Sequence, residues 1–97
     1  MTGTEKFIVR YCQNGGTWEE TPLTNEIVIG RSIDCDLHID DGKTSRKHAH
    51  LSLKPDGLWL TDLGSSNGTY INDQRITPQT PHRIFTGQEF RIGSYTF

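Results

Sequence analysis

Apolar and polar residues alternate with a period of two through most of the chain. The alternation comes in short runs: "FIVRY" (7–11), "EIVIG" (26–30), "DLHI" (36–39), "HAHLSLK" (48–54), "LWLTDL" (58–63), "TYIN" (69–72), "EFRIG" (89–93) and "YTF" (95–97). Each run is strand-sized, and no window sustains the 3.6-residue period of a helix. In "HAHLSLK" the apolar Ala49, Leu51 and Leu53 alternate with His48, His50, Ser52 and Lys54, which predicts a strand with one packed and one wet face. Turn residues separate the runs: "NGG" (14–16), "DG" (41–42), "PDG" (55–57), "GSSNG" (64–68), "ND" (72–73) and "TG" (86–87). "TPQTPH" (77–82) reads as loop, because two prolines break a ladder. Many short strands with frequent turns predict an all-β sandwich or barrel.

Composition narrows the function classes. Ninety-seven residues make one domain, and Leu, Ile, Val and Phe together supply 22 of them, enough for a folded but modest core. A net charge of -2 gives no overall field to gather polyanions, so nucleic-acid binding through bulk charge is disfavoured and any anion chemistry must be local. No apolar run approaches the ~20 residues of a membrane helix. "MTGTEKF" lacks a basic segment followed by an apolar one, so neither secretion nor membrane insertion is expected. Cys12 and Cys35 form neither a disulfide framework nor a CxxC motif, which points to a reduced, intracellular setting, cytoplasmic or nuclear.

Four stretches could carry chemistry: "GR" (30–31), "DCDLHIDD" (34–41), "SRKH" (45–48) and "DLGSSNGTYIN" (62–72). Taken singly, each has an ordinary explanation. Arg31 at a strand end reads as a surface cation, "SRKH" as a solvated basic loop, and His48 as a structural hydrogen-bonder. Asn67-Gly68 reads as a hairpin turn. The acidic stretch lacks the glycine a calcium loop requires and reads as the wet side of a strand. Cys35, His38, His48 and His50 are plausible zinc ligands by type but match no zinc spacing. Ser45, His48 and Asp41 lie too close in sequence to meet easily in triad geometry, so no catalytic role is expected.

In order and spacing, the pieces are far more specific than they are alone. Strand-"GR", then "SRKH" opening a strand, then "DLGSSNGTYIN" resembles the forkhead-associated (FHA) domain, most tightly over residues 30–76, with 1–97 read as a single such domain. The resemblance implies a two-sheet antiparallel β-sandwich of about eleven short strands, whose apical loops bind phosphothreonine peptides. It implies that Arg31, Ser45 and Arg46 contact phosphate and that Ser66 and Asn67 hold the peptide. Gly30, His48 and Gly68 match structural positions: a close backbone approach, a buried bracing histidine and a turn with positive φ. Lys43 and Lys47 would supply field more than contact. Asp73 stands where the family often has glycine, and it still tolerates a hairpin turn.

Such a module needs no cofactor and no metal. Its expected partner is a phosphothreonine-containing protein, and as an isolated domain it is expected to be monomeric. A phosphothreonine carries about -1.5 to -2 charges and three acceptor oxygens, which suit an Arg fork, a hydroxyl and loop amides. The rival reading is an FHA fold acting as a protein-interaction surface independent of phosphate.

Overall fold

The alternating runs become strands because each has a neighbour to complete its backbone hydrogen bonds and a core to cover its apolar side. The computed structural model describes residues 7–23 and 25–97; "MTGTEK", on which the expectation about secretion rests, lies outside them. The strands are β1 (Phe7–Gln13), β2 (Glu19–Leu23), β3 (Glu26–Gly30), β4 (Leu37–His38), β5 (Ala49–Lys54), β6 (Gly57–Asp62), β7 (Thr69–Ile71), β8 (Gln74–Arg75), β9 (His82–Ile84), β10 (Phe90–Ile92) and β11 (Tyr95–Thr96). One sheet runs β2-β1-β11-β10-β7-β8 and the other β4-β3-β5-β6-β9, so the fold is an all-β sandwich.

Among the described residues all strand pairings are antiparallel but one. β4 pairs parallel to β3, with Ile29 opposite Leu37 and Gly30 opposite His38. Parallel neighbours ordinarily need a long crossover. Here residues 31–36 make a tight excursion beyond the sheet edge and return, and the Ile39 amide closes it by donating to the Gly30 carbonyl at 2.9 Å. That excursion places Arg31 at the end of the sandwich.

The core lies between the sheets. Ile29, Ala49, Leu60 and Ile92 are fully buried, and the Phe90 and Phe97 rings stack with centroids 4.8 Å apart. Phe97 extends the pairing of the last strands, exchanging backbone hydrogen bonds with Phe90. The wet face expected for β5 is only partly wet: Ser52 is buried opposite Trp59, whose large side chain shares that face. The acidic stretch also departs from expectation. Asp36 accepts the Val28 amide while remaining exposed, and the half-buried Asp41 accepts three donors, so two of its carboxylates also serve as structural acceptors.

Register sets which loops meet. β3 and β4 end, β5 begins, β6 ends and β7 begins at one end of the sandwich. Loops 31–36, 39–48 and 63–68 therefore share that apex. Asn67-Gly68 is not a hairpin turn, because β6 and β7 belong to different sheets and the loop between them crosses from one to the other. Two-residue hairpins stand instead at Pro55-Asp56, at Gly93-Ser94 and at Asn72-Asp73, the last with both residues at positive φ (51° and 64°) between Ile71 and Gln74. Truncating a fully buried side chain leaves a cavity as well as losing burial, so Leu60→Ala is expected to cost about 2–5 kcal/mol in urea unfolding with the fold retained.

Candidate functional site

His48 stands between two of the three apical loops, those bearing Ser45 and Asn67. It is fully buried just before β5. Its Nδ1 accepts the Ser45 amide at 3.1 Å, and its Nε2 lies 2.8 Å from the Gly68 carbonyl oxygen. An amide can only donate and a carbonyl can only accept, so the ring is neutral with its proton on Nε2. Burial pushes its pKa below the ordinary 6.5, outweighing the Gly68 carbonyl and the Asp62 carboxylate, whose Oδ1 is 3.8 Å from Nε2.

Arg31 follows Gly30 at the end of β3. The Arg31 and Ser32 amides donate to the Ser45 and Arg46 carbonyls, both at 3.1 Å, so the strand pairing continues into the loops. A side chain at Gly30 would overlap the Arg46 carbonyl oxygen, which explains why glycine ends this strand. Arg31 Nε donates to the Thr44 carbonyl at 3.0 Å. This fixes the direction of an exposed guanidinium while both terminal amino groups stay available.

Ser45 is half-buried, and its Oγ accepts the Ser66 amide at 3.2 Å. Its own proton remains free to donate. Asn67 Nδ2 donates to the Lys43 carbonyl at 2.8 Å, leaving its carbonyl oxygen and second N–H for another partner. Arg31, Ser45, Ser66 and Asn67 therefore meet at one apex, tied by hydrogen bonds among loops. Lys43, Arg46 and Lys47 are exposed on the same loop. Among the described residues none of these three, nor Arg31, forms an ion pair.

Sequence reasoning missed the groups beneath this surface. Asp62, at the end of β6, is 0% exposed. Its Oδ2 accepts the Gly64 and Ser65 amides, and its Oδ1 accepts the Ser65 and Thr69 hydroxyls at 2.5 and 2.8 Å. Burial alone would raise its pKa, but these bonds together outweigh it and leave it lowered. Ser65 Oγ accepts the Gly68 amide in turn, at 3.0 Å. Arg75 donates to the Ser65 and Ser66 carbonyls from outside and packs where a Gly68 side chain would stand, while Gly68 has φ +89°. The one sequence signal was the density of Asp, Ser and Gly in "DLGSSNG", a mark of side chains that bond local backbone.

The geometry weakens the catalytic and metal alternatives. The group of Ser45 that faces His48 is its amide, and Asp41 bonds Ser94 and Lys43 rather than His48. Cys35 donates its thiol to the Arg46 carbonyl, and burial raises its pKa; His50 Nε2 meets Glu26 Oε1 at 2.8 Å. No group of three potential metal ligands gathers among the described residues. A cleft of about 410 Å³ opens at the opposite end of the sandwich, lined by Ile8, Trp18, Leu58 and Phe85 among others, and holds none of the predicted site residues.

The sequence model of the FHA domain matches residues 27–93. The chain belongs to the FHA domain family. It is 39% identical over 67 residues to the FHA domain-containing protein FhaB of Mycobacterium tuberculosis, covering 69% of this chain and 42% of that protein. It is 30% identical over 96 residues to the glycogen accumulation regulator GarA of Mycolicibacterium smegmatis, covering 97% of this chain and 57% of that one. M. tuberculosis EmbR, solved in complex with a low-affinity phosphopeptide, superposes with a TM-score of 0.80 at 27% identity, over 93% of this chain and 23% of EmbR. The chain thus spans less than two thirds of each of these relatives. Among the described residues no helix of this FHA domain is long and apolar enough to cross a membrane.

The His48 tautomer is directly measurable. Long-range ¹H–¹⁵N correlation is expected to show Nδ1 unprotonated and Nε2 protonated at pH 7.5; a ring protonated on Nδ1 there would contradict the geometry. Because the folded-state pKa is depressed, the unfolded chain takes up the proton first. This contribution to stability is complete above pH 6.5 and falls as pH drops below it, measured by urea unfolding from pH 7.5 to 5.

Proposed function

We propose that this FHA domain, residues 1–97, is a non-catalytic module that binds phosphothreonine-containing protein segments in regulatory complexes. The observation that carries the reading is the apex itself: an exposed Arg31 guanidinium directed by the Thr44 carbonyl, beside a Ser45 hydroxyl whose proton is free. A planar Arg fork and a hydroxyl satisfy a phosphate dianion with short, charge-assisted bonds. Arg46 adds a donor, and Lys43 and Lys47 add field. Ser66 and Asn67 hold the peptide main chain beside the phosphorylated residue. The phosphopeptide complex of EmbR supports the same use of this fold. Nothing in the apex prepares a nucleophile, so bound phosphate is held and not attacked. Two buried, unpaired cysteines, Cys12 and Cys35, support a reducing, cytoplasmic setting. The isolated domain acts as a monomer and needs no cofactor.

Removing one partner of a desolvated charge pair costs about 2–5 kcal/mol, against about 8 for a whole micromolar complex. Isothermal titration is therefore expected to show Arg31→Ala binding a phosphothreonine peptide at least about 30-fold more weakly, with the thermal midpoint little changed. Arg31→Lys, which keeps charge but loses the fork, should fail similarly. Unchanged affinity in Arg31→Ala would instead indicate a surface that ignores phosphate.

A further inference from the structure

Two of the three apical loops, 39–48 and 63–68, are each anchored by a different carboxylate, and neither carboxylate was among the predicted site residues. We propose that these anchors have separate jobs: Asp41 positions the half of the site that meets phosphate, and Asp62 positions the half that meets the peptide. The inference rests on the phosphothreonine-binding reading and deepens it.

Asp41 begins the loop that carries Ser45. Its Oδ1 accepts the Lys43 amide at 2.9 Å and its backbone carbonyl accepts the Thr44 amide at 2.9 Å, forming a turn over 41–44. Its Oδ2 accepts the Ser94 amide and hydroxyl, both at 2.7 Å, from the turn between β10 and β11. Ser94 is fastened in turn, its carbonyl accepting the Asn14 amide at 2.8 Å and its hydroxyl accepting Gln13 Nε2 at 3.2 Å. A side chain at Gly93 would overlap Asp41 Oδ2. The result is a tie between the opposite sheet and the turn presenting the Thr44 carbonyl, which aims Arg31.

Asp62 serves the other loop. It takes the Gly64 and Ser65 amides and the Ser65 and Thr69 hydroxyls, and Ser65 Oγ passes the constraint on to the Gly68 amide. Arg75 holds the Ser65 and Ser66 carbonyls from the other side. Between these restraints lie Ser66 and Asn67. Asp62 is fully buried and the oxygens of Asp41 are engaged, so both act through the groups they hold and are positioning residues.

The test compares two probes, inorganic phosphate and one phosphothreonine peptide selected from a library, on the intact chain. Asp62→Asn and the milder Ser65→Ala are expected to weaken the peptide by about tenfold or more and phosphate by a clearly smaller factor, the part that reaches phosphate passing through the Ser66 amide and the Gly68 carbonyl. Asp41→Asn and the milder Ser94→Ala are expected to weaken both probes by the same factor. The serine variants carry the test if either aspartate variant fails to fold. Equal losses on both probes in both pairs, or no loss in either, would overturn the division of labour. If the unaltered chain bound phosphorylated and unphosphorylated peptide alike, the binding reading itself would fall, a result the variants cannot mimic.

Discussion

One buried imidazole joins the two halves of the binding surface. His48 accepts from the Ser45 amide on one loop and donates to the Gly68 carbonyl on the other, and it does both only while neutral. Were it protonated, Nδ1 would present a proton to an N–H group, and the link between loops would become a repulsion. Burial is what keeps it neutral. The position of the Ser45 hydroxyl, and of the Ser66 amide that donates to it, follows from this bridge.

The charges divide by depth. Arg31, Lys43, Arg46 and Lys47 are exposed at the apex, while Asp41 and Asp62 lie partly or wholly beneath it, their charges occupied by hydrogen bonds. A carboxylate saturated by amides and hydroxyls orders a loop with little repulsion toward an incoming anion, because its lone pairs and field are directed at those donors. The cations above face solvent without such partners among the described residues, which suits them to a dianionic ligand. A chain with a net charge of -2 can therefore present a local anion site.

Much of the fold was legible because burial imprints a period of two. The eight predicted runs overlap β1, β3, β4, β5, β6, β7, β10 and β11. The three unforeseen strands, β2, β8 and β9, are all sheet edges. An edge strand has one neighbour and less apolar surface to cover, so "EETPL", "QR" and "HRI" carry little alternation of their own. The parallel β3–β4 pair was illegible for a related reason: two residues cannot declare a direction. In the site, the exposed residues were found through the resemblance, whereas Asp41, Asp62, Ser65 and Arg75 look in sequence like ordinary polar residues of loops and strand ends. Only the fold reveals which donors converge on them, and Asn67-Gly68, read locally as a hairpin, proves to cross between sheets.

The account depends on the phosphate being what this apex recognises. Amide correlation spectra of the ¹⁵N-labelled chain, recorded with a phosphothreonine peptide and with the same peptide unphosphorylated, test that directly. The account predicts that Arg31, Ser45, Arg46, Ser66 and Asn67 shift or broaden with the first peptide only, while the far end around Ile8, Trp18 and Phe85 stays still. Equal responses to both peptides, or a response centred on that far end, would contradict it.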